Sequence, residues 1–154
     1  MPTIEGDQSK PRGRFAVVAA KFNAEVVDRL VAGALDGLRQ HGVADSAVDL
    51  VRVPGSIELP LVCRRLAASE KYAAVIALGA VIQGDTDHYV YVCQEAAAGV
   101  MRATLDTGVP VIFGVLTCQT DELALARAGG EHGNKGRDAA LAAIEMANLL
   151  AKLA

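Results

Sequence analysis

The segment YAAVIALGAVIQGDTDHYVYV, residues 72–92, decides the fold. Its first half, Tyr72 to Ile82, is apolar without alternation, the pattern of a strand covered on both faces. Its second half changes character abruptly: a glycine, two acids around a threonine, a histidine and two tyrosines. From about His88 to Thr107 the composition is helical. A buried strand that passes straight into a helix is one half of a βαβ unit.

The same order recurs on both sides. RFAVVAA, residues 14–20, is a short apolar run. It leads into KFNAEVVDRLVAGALDGLRQHG, where Asn23 suits a helix N-cap and Val26, Val27, Leu30, Val31, Ala34, Leu35 and Leu38 recur at helical spacing. Gly42 closes that helix. AVDLVRV, residues 47–53, is a second strand, followed by PGSIELPLVCRRLAAS with Ser56 as cap and Glu58 in the first turn. Pro60 is tolerated that early in a helix. Gly108 and Pro110 separate the helix after residue 88 from a fourth strand, VPVIFGVLT. DELALARAGG then reads as a short helix stopped by a glycine pair, and a last helix starts near Lys135.

Strand and helix thus alternate four times, which implies parallel strands joined by right-handed crossovers. The expected fold is one α/β domain over residues 13–154. It is a three-layer α/β/α arrangement on a four-stranded parallel sheet, flavodoxin-like in type. A polar N-terminal arm, residues 1–12, lies outside the pattern and is either disordered or finds a partner on another subunit.

Composition narrows the function. Of 154 residues, 52% are hydrophobic but only 4% aromatic, so the core is built from Ala, Val, Leu and Ile. A net charge of −3 argues against a nucleic-acid-binding surface. No apolar stretch reaches the roughly 18–20 residues that span a bilayer. MPTIEGDQSKPRGR lacks the apolar segment of a signal peptide. Cys63, Cys93 and Cys118 are odd in number and scattered, which fits neither a disulfide framework nor a paired zinc motif. Cys63 and Cys93 fall in helices as small core residues, and a reduced cytoplasmic setting is expected.

In open parallel sheets, ligands bind beyond the carboxyl ends of the strands. That rule selects Lys21-Phe22-Asn23, Gly55-Ser56-Ile57-Glu58 and Gln83 to His88, with the fourth strand expected to bring Phe113 to the same region. Phe22 is either a hydrophobic staple on Val27 or a flat face for a planar ring. Glu58 either favours the positive end of its helix or accepts hydrogen bonds from ligand hydroxyls. Gly84-Asp85-Thr86 precedes a helix N-terminus, where an anion is favoured; Thr86 or Asp87 as an ordinary N-cap accounts for it equally well. His88 sits between the helix dipole and two acids, balanced for proton exchange near neutrality. Three scattered histidines do not make a metal site. Arg127 and Lys135 flank the glycine-rich RAGGEHGNKG. They are either a cation at a helix C-terminus and a solvated turn, or a phosphate grip with Asp138 one turn beyond to orient Lys135.

Taken in order, KFN, VPGSIELP, GAVIQGDTDHYVYV, FGVLT and RAGGEHGNKGRDAALAAIEMANL resemble the lumazine synthase family of riboflavin biosynthesis. The resemblance covers nearly the whole chain after the arm. It implies condensation of 5-amino-6-(D-ribitylamino)uracil with 3,4-dihydroxy-2-butanone 4-phosphate, with loss of phosphate and water and no metal or organic cofactor. It implies that Phe22 stacks on the pyrimidine, and that Ser56, Ile57 and Glu58 hold the ribityl chain and flank the ring. Ala80, Val81 and Ile82 offer backbone to the uracil, Asp85 and Thr86 with Arg127 bind phosphate, and His88 transfers protons. Phe113, Arg127 and Lys135 come from a neighbouring subunit, in a pentamer that many members close into a 60-subunit icosahedral shell. The chain departs from the family at Gln83, usually basic, at Ile57, often aromatic, and at Val90, commonly acidic. Two rivals are the archaeal-type riboflavin synthase, which shares the fold, and a shell or ligand-binding protein without catalysis.

Overall fold

The computed structural model describes residues 1–154. Four parallel strands form one sheet in the order β2-β1-β3-β4: β1 Phe15–Ala20, β2 Val48–Val53, β3 Ala74–Ile82 and β4 Val111–Cys118. The crossovers are α1 (Ala24–Gln40), α2 (Leu59–Ala68) and α3 (His88–Thr107). After β4 come α4 (Asp121–Ala126), a small hairpin of β5 (Ala128–Gly130) and β6 (Gly133–Asn134), and α5 (Lys135–Leu153). This is the three-layer, flavodoxin-like arrangement expected from the alternation.

The apolar runs have a direct cause. On β1, Phe15, Val17 and Ala19 face a cluster shared with α1 and α5, while Ala16, Val18 and Ala20 face one shared with α2 and α3. β3 divides in the same way, with Ile76 and Leu78 on the first side and Val75 and Ala77 on the second. Both strands are central, so no position is left for a polar residue. β2 is an edge strand and shows it, with Leu50 exposed.

Small residues set how closely the layers approach. Ala139, Ala140 and Ala143 of α5 are buried, and a Cβ at Gly136 would collide with the Leu30 carbonyl of α1. Gly114 on β4 stands similarly close to Leu78 and Ala139. Cys63 is fully buried in α2, and burial pushes its thiol up to about 12.

At the amino end of the sheet, Asp49 accepts from the Tyr72 hydroxyl at 2.6 Å and pairs with Arg14 at 2.8 Å. The Tyr72 bond first, and Arg14 second, hold its carboxyl below the usual 3.8. A depressed folded value means that this contribution to stability is present above the ordinary carboxylate range and lost as acidification approaches the folded value.

Two features depart from the sequence reading. The glycine pair after α4 enters the β5–β6 hairpin rather than a plain stop. The arm has neither helix nor strand, and within this chain its backbone carbonyls are held by α5, so it is not free. Asn148 of α5 donates to the Asp7 and Ser9 carbonyls, both at 2.9 Å, and Lys152 donates to the Glu5 carbonyl at 2.7 Å.

Gly136→Ala should lower the unfolding free energy by about 1–3 kcal/mol, because the added methyl must push α1 from α5. Urea denaturation measures it, and an unchanged midpoint would show that the two helices yield freely.

Candidate active site

β1 pairs with β3 only as far as Ala19 and Leu78, whereas β4 stays paired with β3 through Ile82 and Cys118. Residues 79–82 therefore project beyond β1, and a cleft of about 530 Å³ opens over that overhang. Its walls are Phe22 and Asn23 after β1, Pro54 to Glu58 after β2, Ala80 to Ile82 of β3, and Gly84, Thr86, His88 and Tyr89 at the start of α3.

Each wall is fixed by local bonds. The Lys21 N–H donates to the Val53 carbonyl at 2.8 Å and the Phe22 N–H to the Pro54 carbonyl at 3.0 Å, locking the two loops together. Phe22 is 72% exposed on this rigid backbone, so it does not staple onto the buried Val27. Asn23 has φ 58° and ψ 49°, a left-handed conformation that Asn tolerates better than most residues. It occupies the N-cap position of α1 but makes no side-chain cap. Its amide instead donates to the Ala80 carbonyl at 2.7 Å, bridging β1's end to the overhang.

Ser56 does not cap α2 either. It opens a single 3₁₀ turn, Ser56–Glu58, and is the one buried polar residue of the chain. It sits against Gly79, where a Cβ would collide with the Ser56 hydroxyl. Glycine at that point of β3 is what lets the hydroxyl reach the cleft floor. Glu58 takes the N-cap position of α2 without capping it, and Ile57 is exposed at the rim. Thr86 Oγ1 accepts from the His88 N–H at 3.4 Å, while Asp87, at the N-cap position, makes no side-chain cap. His88 lies exposed in the first turn of α3.

The remaining expected residues lie elsewhere. Phe113 is level with Ala77, well short of the carboxyl end of β4, and does not reach the first cleft. It lines a second cleft of about 510 Å³ on the outer side of β4, with Arg127, His132, Lys135, Asp138 and Cys118. Arg127 donates to the Leu123 carbonyl at 3.0 Å, and no carboxylate pairs with it or with Lys135; Asp138 shares the cleft without bonding Lys135. Burial pushes the Cys118 thiol up, so it adds no charge there. Asp85 and Gln83 are exposed and line neither cleft.

Chemically, the first cleft offers a flat aromatic face, an unpaired hydroxyl, a carboxylate, a strand edge and an imidazole. The second offers two cations to an anion. Residues 12–151 match the family described as 6,7-dimethyl-8-ribityllumazine synthase. The chain belongs to that family. Proteins of that name from two strains of Stenotrophomonas maltophilia, R551-3 and K279a, are each 53% identical over 154 residues, covering 99% of both chains. One from Desulfotalea psychrophila is 52% identical over 147 residues, covering 96% of this chain and 95% of its own. In this lumazine synthase family chain the aromatic face and the imidazole line the first cleft, and the two cations line the second.

What sequence reasoning missed was the Asn23 bridge and the place of His132. The signal for the first was available, since Asn in a strand-to-helix turn is a candidate for positive φ. Asn23→Ala should cost about 2 kcal/mol in urea unfolding, through the lost bond to Ala80 and the left-handed backbone. Asn23→Gly should recover roughly half, because glycine removes only the backbone part.

Proposed function

We propose that the protein condenses 5-amino-6-(D-ribitylamino)uracil with 3,4-dihydroxy-2-butanone 4-phosphate, giving 6,7-dimethyl-8-ribityllumazine, phosphate and water. This is a transferase reaction, the penultimate step of riboflavin biosynthesis. The observation that carries the reading is the first cleft, where Phe22, Ser56, Glu58, the β3 overhang and His88 converge in a chain of this family.

In this reading Phe22 stacks on the pyrimidine, whose edge bonds to backbone groups of Ala80, Val81 and Ile82. Ser56, Ile57 and Glu58 hold the ribityl hydroxyls and flank the ring. The turn at Asp85 and Thr86 brings N–H groups to the phosphate of the second substrate, and Arg127 and Lys135 bring the charge. His88 moves protons as the amine adds to the ketone and phosphate departs. Such chemistry asks for positioning and proton transfer more than for a strong nucleophile. Cations beside the leaving phosphate stabilise its charge. No part of the scheme is routed through a metal or organic cofactor.

Phe113, Arg127 and Lys135 complete the site from a neighbouring subunit. Support comes from their position in one chain, where they line a second cleft that does not include His88. The assembly is a pentamer, with a 60-subunit shell as its larger form. Residues 13–154 form the single catalytic domain and residues 1–12 its arm. No helix is long and apolar enough to cross a membrane, and we place the reaction in the cytoplasm.

Absorbance and fluorescence of the lumazine formed from both substrates test the activity; flavin formed from lumazine alone would point to the riboflavin synthase instead. His88→Ala should slow turnover by about a hundredfold or more while leaving pyrimidine binding nearly intact. Subunits carrying His88→Ala, mixed during assembly with subunits carrying Arg127→Ala, should regain roughly a quarter of the wild-type activity, since shared sites re-form by chance. No recovery would place the whole site in one chain. Gln83→Arg should lower KM for the butanone phosphate, by adding a cation beside the phosphate turn. An unchanged or higher KM would remove position 83 from phosphate binding.

A further inference from the structure

His132 lies in the turn between β5 and β6 and lines the second cleft together with Arg127 and Lys135. None of the roles above uses it. Its place is held by the backbone at two points. The His132 N–H donates to the Ala126 carbonyl at 2.7 Å, and the Lys135 N–H donates to the Arg127 carbonyl at 2.8 Å. Arg127, His132 and Lys135 are thereby carried on one short clamp, whereas the His132 imidazole itself bonds to nothing in the chain. A structural histidine spends its ring nitrogens on partners, as His41 does on the Gly37 carbonyl at 2.8 Å.

We propose that His132 is a third, proton-dependent anion-binding group of the phosphate site, tightening its hold on a phosphate ester as pH falls. The proposal rests on the assignment of Arg127 and Lys135 to that phosphate. The charges facing the imidazole are Arg127 at the end of α4, Lys135 and Asp138 on α5, and Glu131 beside it in the turn; Cys118 of β4 stays neutral. Of these side chains only a histidine changes charge in the range of pH 5 to 8. Arg127 and Lys135 against Asp138 and Glu131 leave these neighbours with no net charge, and protonation of His132 makes the sum positive. Low pH adds positive charge next to the bound anion, so affinity rises as pH drops.

Phosphate esters themselves titrate near pH 6, so inorganic sulfate, dianionic throughout, is the probe. Its inhibition constant against the butanone phosphate is measured between pH 5.5 and 8 for the wild-type assembly, His132→Gln and Arg127→Ala. In the wild type the constant should tighten about fivefold toward pH 5.5, the size expected of one added charge at a wet surface. His132→Gln should match the wild type at pH 8 and lose most of that gain. His88 and the acids of the first cleft are present in both proteins, so their own titration cancels in the comparison. Equal pH slopes with and without His132 would overturn the proposal while leaving the phosphate site intact. Sulfate inhibition that ignores Arg127→Ala would overturn the phosphate assignment itself, and this inference with it.

Discussion

The candidate site depends on one strand outrunning its neighbour. β3 keeps its partner β4 through Ile82, but β1 turns away after residue 20 into the loop that carries Phe22. Unpaired strand groups are costly when buried and useful when a ligand can take them. Here Asn23 takes the Ala80 carbonyl, which pins the overhang to the loop and leaves the rest of the strand edge beside the cleft. The left-handed backbone of Asn23 is the local cost of that bridge. Gly79 does the complementary task on the other flank, where its missing side chain makes room for Ser56.

Charge is distributed unevenly between the two clefts. Glu58 lines the first cleft together with His88, and no arginine or lysine lines it. A phosphate ester bound there would meet a carboxylate and no lysine or arginine of this chain. The cations stand on the outer side of β4, the free edge of the sheet, where a second copy can approach. The proposed shared site would join these two faces of neighbouring subunits at one ligand. Gln83, in the loop before α3, adds no cation beside the first cleft.

Strands and long helices were legible in the sequence because burial on both faces leaves no room for ambiguity: β1 and β3 are apolar at every position, and α1 repeats at helical spacing. Caps were not. Asn23 and Ser56 carry the right chemistry for N-caps, yet tertiary contacts claim both side chains, one by Ala80 and the other by the pocket against Gly79. Thr120 and Asn134, by contrast, do cap α4 and α5, accepting from Leu123 and Arg137. The local signal is the same in all four, and only the packed neighbours tell them apart. Phe113 was misplaced for a related reason. Membership of a strand says nothing of distance along it, and three residues into β4 is the wrong end of the sheet for the first cleft.

The scarcity of aromatics connects the packing to the site. Because α5 lies against α1 and the sheet through Gly136, Gly114 and a run of alanines, the interior accommodates small side chains and few rings. Of three phenylalanines only Phe15 is in the core, fully buried. Phe22 stands largely in solvent on the first cleft, and Phe113 lines the second. A core that could use another ring would gain about 1.5–3 kcal/mol by drawing Phe22 inward, whereas Phe113 is already half-buried against the α2–α3 side of the core. The exposure of Phe22 means that the first cleft keeps its apolar face at the expense of folding free energy. That face is spared by the same close packing that builds the sheet, so the site and the alanine-rich core are one design.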